Sequence, residues 1–359
     1  MLKMLPYSLS GRQINKLTSG KNTVTMIDNK KQDLITNKKH HTAKGFRHDE
    51  SFKIKISEFL RWRLARKVLP PKVGYQTFNQ TWFEPIDFSL SGDRVWWIGH
   101  STTLIRLGGK MILTDPIFSK RASPSQLIGP KRRTPPALNI DQLPQIDFIV
   151  ISHNHYDHLD YHSIRQLLVR FPHIVMMVPL GLKRTLLRWG AKCVNELDWW
   201  ERVTVDGLSF SATPAIHWSN RGLLDVNKAL WCGWMIQSNS DNQNQLTTVY
   251  FMGDTCYSSE LKAIAQHFPS IDLALIPIGA YAPRWYMQSQ HIDPKQAVQL
   301  YDELQCLSAV AIHWGAFELA DESLDEPPEL LSELREARTF HLVKIGGSLA
   351  INRINSGLK

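Results

Sequence analysis

Residues 147–160 read Asp-Phe-Ile-Val-Ile-Ser-His-Asn-His-Tyr-Asp-His-Leu-Asp. Phe148 to Ile151 is an unbroken apolar run, the pattern of a short strand covered on both faces. Close behind it stand His153, His155, Asp157 and His158, four metal-ligating side chains within six residues. A strand would send alternate side chains to opposite faces, so the chain must turn here for them to act together. A loop at a strand's end lets His153 and His155 face one ion while Asp157 and His158 face a second. Imidazole and carboxylate suit zinc, and also iron or manganese. Two ions a few ångströms apart can share and deprotonate one water.

The same arrangement repeats along the chain. His217 follows a strand-like run in SATPAIHW, Asp254 ends VYFMGD, and His313 follows the run AVAI in AVAIHW. Ligands gathered at one end of a sheet are the expected geometry of a site carried on a rigid scaffold. Asp115, in ILTDPIF, ends another run and reads as a carboxylate that orients a ligand histidine rather than as a ligand. His100 in WIGHSTT and His291 in SQHIDP are further candidates. His40, His41 and His48 lie in a basic stretch and read as solvated.

Around these motifs the pattern is strand-rich. Short apolar or alternating runs cover 94–98, 103–107, 110–114, 147–152, 174–178, 209–213, 231–237, 247–252, 273–277 and 309–313, and Gly108-Gly109 reads as a hairpin turn. Helical spacing appears over 161–170, 259–267 and 294–304. A mixed α/β domain follows, expected over 93–353.

The N-terminal part differs. Residues 1–75 hold 17 Lys/Arg against 5 Asp/Glu, a net of +12, and the remainder 25 against 28, a net of −3. Residues 1–50 read as a flexible basic extension. In 51–92 the first part, SFKIKISEFLRWRLARKVL, places Phe52, Ile56, Phe59, Leu60, Leu64 and Val68 at helical spacing among basic residues, a basic amphipathic helix ended by Pro70-Pro71. Such a segment fits an anionic surface. No run of 18 apolar residues and no apolar leader core is present, which predicts a cytoplasmic protein associated peripherally with membrane. The four cysteines are widely spaced and read as free thiols.

The HNHYDH loop with Asp115, His217, Asp254 and His313 resembles the metallo-β-lactamase superfamily, whose motif positions it matches in order. That resemblance implies a four-layer αββα sandwich with two metal ions, zinc by analogy, in each subunit. It also implies His153, His155 and His217 on one ion, Asp157, His158 and His313 on the other, and Asp254 bridging. Over about residues 90 to 350, the strings WIGHSTTLI, LTDPIFSKRASPSQLIGPKR, ISHNHYDHLDY, VPLGL, ELDWWE, FMGDTCY, IPIGAYAPRWYMQSQHIDP and AIHWGAFELA are similar to those of the N-acyl-phosphatidylethanolamine-hydrolysing phospholipases D. The first eighty or so residues carry little of this likeness.

This closer resemblance implies cleavage of a phosphodiester to N-acylethanolamine and phosphatidic acid, in a homodimer. By residue match it places Tyr156, His291, Gln126 and Gln290 in substrate binding. The implied nucleophile is a hydroxide shared by both ions. Asp157 or Asp254 would orient it and take its proton, and His291 or a protonated Asp157 would serve as acid toward the leaving alkoxide. Two other readings use the same residues. A lactonase or phosphodiesterase of soluble sugar phosphates or nucleotides would share the ligand set. A non-catalytic scaffold binding membrane or nucleic acid through the basic N-terminus would not need it. No nucleic-acid motif is present, so no nucleic-acid partner is expected.

Overall fold

The computed structural model describes residues 38–47, 56–239 and 246–352, together with the backbone of two strands, Asn15–Ser19 and Asn22–Met26. Two sheets stack face to face. One has seven strands, in the spatial order Cys193–Leu197, Val175–Pro179, Phe148–Val150, Lys110–Thr114, Thr102–Leu107, Arg94–Gly99 and Ser348–Ala350. The other has nine, in the order Asn15–Ser19, Asn22–Met26, Arg202–Val205, Leu208–Thr213, Gly233–Asn239, Leu246–Phe251, Leu273–Pro277, Ala309–Ile312 and Phe340–His341.

Alternation along the strands explains why there are four layers. Trp97, Ile105, Ile112, Phe148 and Met177 point inward and join one core with Phe210, Ala212, Ile236 and Phe251 of the other sheet. Phe148 meets Phe210 across the gap at 5.0 Å between ring centroids. Their sequence neighbours Trp96, Leu104, Leu113, Ile149 and Met176 point outward and are buried under Ile164, Leu167 and Leu186 of the helices Tyr161–Arg170 and Lys183–Arg188. Helices Lys262–His267 and Pro294–Glu303 supply Ile264, Ala297 and Leu300 to the core that holds the nine-stranded sheet. Each fully covered side chain contributes roughly 1.5–3 kcal/mol. This is the expected αββα sandwich, and the expected strands and helices fall within a few residues of those observed.

Strand direction decides where ligands can meet. Lys110–Thr114, Phe148–Val150 and Val175–Pro179 run parallel, as do Leu246–Phe251, Leu273–Pro277 and Ala309–Ile312. Arg94–Gly99 is two antiparallel steps from Lys110–Thr114, and Leu208–Thr213 two such steps from Leu246–Phe251, so both point the same way as those strands. The residues after each of these strands therefore collect at one edge of the sandwich. A buried bond from Trp234 Nε1 to the carbonyl of Ile151 (2.8 Å) locks the two sheets together just below that edge. Trp234→Phe leaves that carbonyl buried without its donor. Urea denaturation should show a loss of about 1–3 kcal/mol.

The N-terminal part departs from expectation in two ways. Instead of standing apart as a flexible extension, part of 1–50 is built into the sandwich. Asn15–Ser19 and Asn22–Met26 form a hairpin that pairs with Arg202–Val205, and residues 38–47 lie against Asp198. Alternating Thr and Val in NTVTM suits a strand, a signal hidden by the surrounding lysines. The amphipathic helix is present as Ile56–Ala65, with residues 51–55 of the expected stretch outside the described part. Its apolar stripe does not face the domain. Phe59, Leu60 and Leu64 are exposed, and the contact is made by Trp62, stacked on Tyr286, and by Arg66, which donates to the carbonyl of Glu318. Among the described residues no helix is long and apolar enough to cross a membrane.

Candidate metal centre

Each ligand turn is held by its own local chemistry. Asp115 lies just beyond Lys110–Thr114 and is fully buried. Its Oδ1 accepts from the Ser152 amide (2.7 Å), and its Oδ2 accepts from Ser152 Oγ (2.5 Å) and His158 Nδ1 (2.6 Å). These bonds shape the turn that opens the HNHYDH loop. They also fix the His158 tautomer, so that Nε2 is the atom turned into the site. Asp254 arrives from the facing sheet through Gly253, whose φ is +65°. A Cβ at Gly253 would sit 2.7 Å from Ser152 Cβ, so only glycine lets the two ligand turns close on one another. His217 Nδ1 donates to the Gln290 carbonyl at 3.0 Å, leaving Nε2 to point inward.

The side chains then sort into two groups. His153 Nε2, His155 Nδ1 and His217 Nε2 converge, with 2.8 Å between the first pair and 3.2 Å between the second. Asp157, His158 and His313 form the other group: Asp157 Oδ2 lies 3.2 Å from His158 Nε2 and 3.5 Å from His313 Nε2. Asp254 Oδ2 stands between them. It is 3.1 Å from both His158 Nε2 and His313 Nε2, 3.8 Å from His217 Nε2 and 4.0 Å from His153 Nε2. One oxygen within reach of both groups is the position of a bridging ligand.

The donor set fits two divalent ions. His155 Nε2, Asp254 Oδ1, His291 Nδ1 and both ring nitrogens of His313 are buried without a hydrogen bond of proper geometry. So many buried polar atoms left over at one point are costly in a purely hydrogen-bonded core. Charge agrees for the first group, whereas Asp254 and Asp157 outweigh burial at His158 and His313 and raise both rings, the second to about 9, so that an ion there must displace a proton. Burial, reinforced by neighbouring imidazoles, holds His153 well below the usual histidine range. Burial also takes His155 down to about 4, despite the nearby carboxylates, so both rings are in the neutral, ligating form. Burial alone would lift Asp157 and Asp254, yet His158 and the other rings around them outweigh it and keep both carboxylates ionised. Asp157 is therefore ionised at rest, and it could act as an acid only after taking up a proton during the reaction.

The structure brings all seven expected ligands together and adds one residue that sequence spacing left undecided. His100 follows Arg94–Gly99 at the same edge, with a φ of +58°. Its Nε2 lies 3.0 Å from Asp157 Oδ2, and its ring 4.3 Å from that of His313. It orients Asp157 as Asp115 orients His158. His100→Gln should weaken the ion held by Asp157, His158 and His313 about 10-fold and spare the other, as outer partners of ligands do. Metal titration of the variant would show one tight and one weakened equivalent.

The four expected substrate residues are placed differently from one another. His291 is at the centre, with Nδ1 3.7 Å from Asp254 Oδ2 and its ring beside those of His217 and His313. Gln290 uses its carbonyl on His217, and its Oε1 accepts from Trp218 Nε1 at 3.1 Å. Trp218 in turn packs edge-on to His155. Tyr156 is turned toward Arg221: its hydroxyl donates to the Arg221 carbonyl (2.7 Å), and the guanidinium covers its ring at 4.1 Å. The Gln126 amide closes its own loop, accepting from the Arg121 amide and donating back to the Arg121 carbonyl. Neither the Tyr156 hydroxyl nor the Gln126 amide contacts the metal-ligating atoms.

Comparison with known proteins agrees with this geometry. Residues 110–314 match the beta-lactamase superfamily domain. The chain is 39% identical over 261 residues to N-acyl-phosphatidylethanolamine-hydrolyzing phospholipase D 1 of Caenorhabditis elegans, covering 70% of this chain and 72% of the worm protein. It is 37% identical over 246 residues to the mitochondrial N-acyl-phosphatidylethanolamine-hydrolyzing phospholipase D of Saccharomyces cerevisiae, covering 67% of this chain and 51% of the yeast protein. Among solved structures, a possible metal-dependent hydrolase from Veillonella parvula superposes with a TM-score of 0.59 at 15% identity. That match covers 73% of this chain and all of the other, and it speaks to the fold alone.

Proposed function

Because this chain belongs to the β-lactamase superfamily, and within it to the family of N-acyl-phosphatidylethanolamine-hydrolysing phospholipases D, we propose that it hydrolyses N-acyl-phosphatidylethanolamine to N-acylethanolamine and phosphatidic acid. Metal-dependent hydrolysis is the established part; the lipid phosphodiester, zinc as the metal and the membrane surface as the workplace are the proposed part. The observation that carries the reading is likeness across most of the worm enzyme, which is named for this reaction.

His153, His155 and His217 would hold one ion, and Asp157, His158 and His313 the other, with Asp254 between. Bound there, the pair supplies a water made acidic enough to attack at neutral pH, and positive charge for the phosphoryl oxygens. The chain's own groups do the rest. Asp157, ionised and braced by His100, offers an acceptor for the proton of the attacking water and passes that proton on to the leaving alkoxide, which departs as the alcohol. Burial brings His291 down to about 4, so it is neutral and serves as a hydrogen-bond donor to a phosphoryl oxygen rather than as a proton store. Trp218 packs edge-on to His155 at one side of the site.

A lipid substrate also fits the surface. Leu127 and Ile128 project from the Gln126 loop, and Leu223 and Leu224 from the Arg221 loop, all strongly exposed. Both loops are fastened to the ligand loop or the helix after it: Arg221 donates to the carbonyls of Asn154 and Leu159, and Ser119 Oγ to Asp160. Exposed aliphatic pairs beside basic side chains suit a bilayer interface. A homodimer belongs to the same reading.

The test is release of N-acylethanolamine from mixed micelles of N-acyl-phosphatidylethanolamine by the zinc-loaded protein, with phosphatidylcholine in parallel. Product from the first lipid alone, abolished by a chelator and restored by zinc, is the expected result. Product from both lipids would mean a broader phospholipase. Product from neither, with both ions bound, would remove the lipid reading and direct the search to lactones and soluble phosphodiesters.

A further inference from the structure

His40, His41 and Asp198 form a second cluster of metal-ligating side chains, with no residue in common with the centre described above. His40 Nε2 lies 2.7 Å from Asp198 Oδ1, and His41 Nε2 lies 2.7 Å from Oδ2. One ligand atom from each residue falls within 4.8 Å of the others, the convergence seen in the triads of the main centre.

The three side chains are set on a stiff platform. Asp198 is buried, and its Oδ1 accepts from the Trp199 amide at 2.8 Å. His40 is stacked on the Trp199 ring (4.2 Å between centroids), and His41 packs edge-on to Phe46 (5.1 Å). Both imidazoles are thus held at fixed angles before any ligand arrives, which lowers the entropy cost of coordination. The Lys38 ammonium, more than half exposed, stands 3.4 Å from Asp198 Oδ2. Positive charge is therefore already drawn to this point, on a side chain free to leave it.

We propose that His40, His41 and Asp198 form an outer binding site for a divalent transition ion of the zinc class, separate from the binuclear centre. Two imidazoles and one carboxylate are a ligand set suited to zinc, with solvent completing the shell. The ion fastens residues 38–47 to the Asp198 turn. That segment also reaches the Arg221 loop, because the Phe46 amide donates to the Asn227 carbonyl (2.7 Å) and Asn227 Oδ1 accepts from the Ser219 amide (3.1 Å). Occupancy therefore ties the N-terminal segment to the loop that braces Tyr156.

The experiment is a zinc titration of the full chain against a competing chromophoric chelator, read to saturation. A third equivalent is expected in the wild type and absent in His40→Ala/His41→Ala and in Asp198→Asn. His41→Gln, a milder change that keeps a polar side chain, should weaken the third equivalent at least 10-fold. Lys38→Gln should bind it several-fold more tightly, because the competing ammonium is gone. Zinc should also protect Lys44 and Arg47 from trypsin in the wild type and not in the variants. Saturation at two equivalents in every protein, with trypsin cleavage indifferent to zinc, would overturn the proposal and leave the cluster as a pair of hydrogen bonds.

Discussion

Asp254→Ala should abolish turnover and empty the binuclear centre together. Its Oδ2 is 3.1 Å from His158 Nε2 and His313 Nε2 and within 4.0 Å of His153 Nε2 and His217 Nε2. Two dications held a few ångströms apart would repel strongly in a dry pocket, and a carboxylate shared between them would offset that repulsion. Losing a single preorganised contact in an active site costs about 10²–10³ in kcat. Losing the bridge should cost on the order of 10³ or more, since it removes an ion as well. Asp254→Asn keeps the shape and drops the charge, and should fall nearly as far. Elemental analysis beside a chromogenic phosphodiester assay reads both quantities. A folded variant with both ions and wild-type rate would mean that Asp254 does not bridge.

The second large effect is expected at Asp115, which holds His158 from behind through its Nδ1. Asp115→Ala leaves the Ser152 amide, Ser152 Oγ and His158 Nδ1 buried with their acceptor gone. A buried donor without a partner costs about 1–3 kcal/mol, and breaking a buried charged pair about 3–5 kcal/mol. The metal-free protein should lose about 3–5 kcal/mol in urea denaturation. In the loaded protein, His158 is no longer held in one tautomer, and affinity for its ion should drop roughly 10- to 100-fold. Unchanged denaturation with unchanged zinc affinity would reduce Asp115 to a bystander.

How far the sequence foretells this centre depends on where each residue's partners lie. His153, His155, Asp157 and His158 are legible because they crowd one loop behind an apolar run. His217, Asp254 and His313 follow because each ends a strand-like run of its own. Asp115 is legible as an orienting carboxylate for the same reason. His100 has the same signature, an apolar run, a glycine, then a polar side chain, but its partner Asp157 is 57 residues away, so only the fold pairs them. Tyr156 and Gln126 are matched to substrate by resemblance alone, and the structure adds their bonds to Arg221 and Arg121, contacts that leave no mark in spacing.

The N-terminal part illustrates a different limit. Helical periodicity found the helix Ile56–Ala65 but could not say which side faces the domain, because Trp62 and Arg66 take the contact from the larger apolar stripe. His40 and His41 looked solvated among lysines, and their partner Asp198 is more than 150 residues away. The short strands Cys193–Leu197, Arg202–Val205 and Ser348–Ala350 carry too little pattern of their own to be read from the sequence. Their stability comes from the sheets they join rather than from their own composition.

The central claim is that two triads and one shared carboxylate hold two ions. Anomalous diffraction at the zinc edge, from crystals of the zinc-loaded protein, tests it most directly. The account predicts one peak among His153, His155 and His217, another among Asp157, His158 and His313, and Asp254 in contact with both. A single peak in this edge of the sandwich, or two peaks with Asp254 bound to neither or only one, would contradict it.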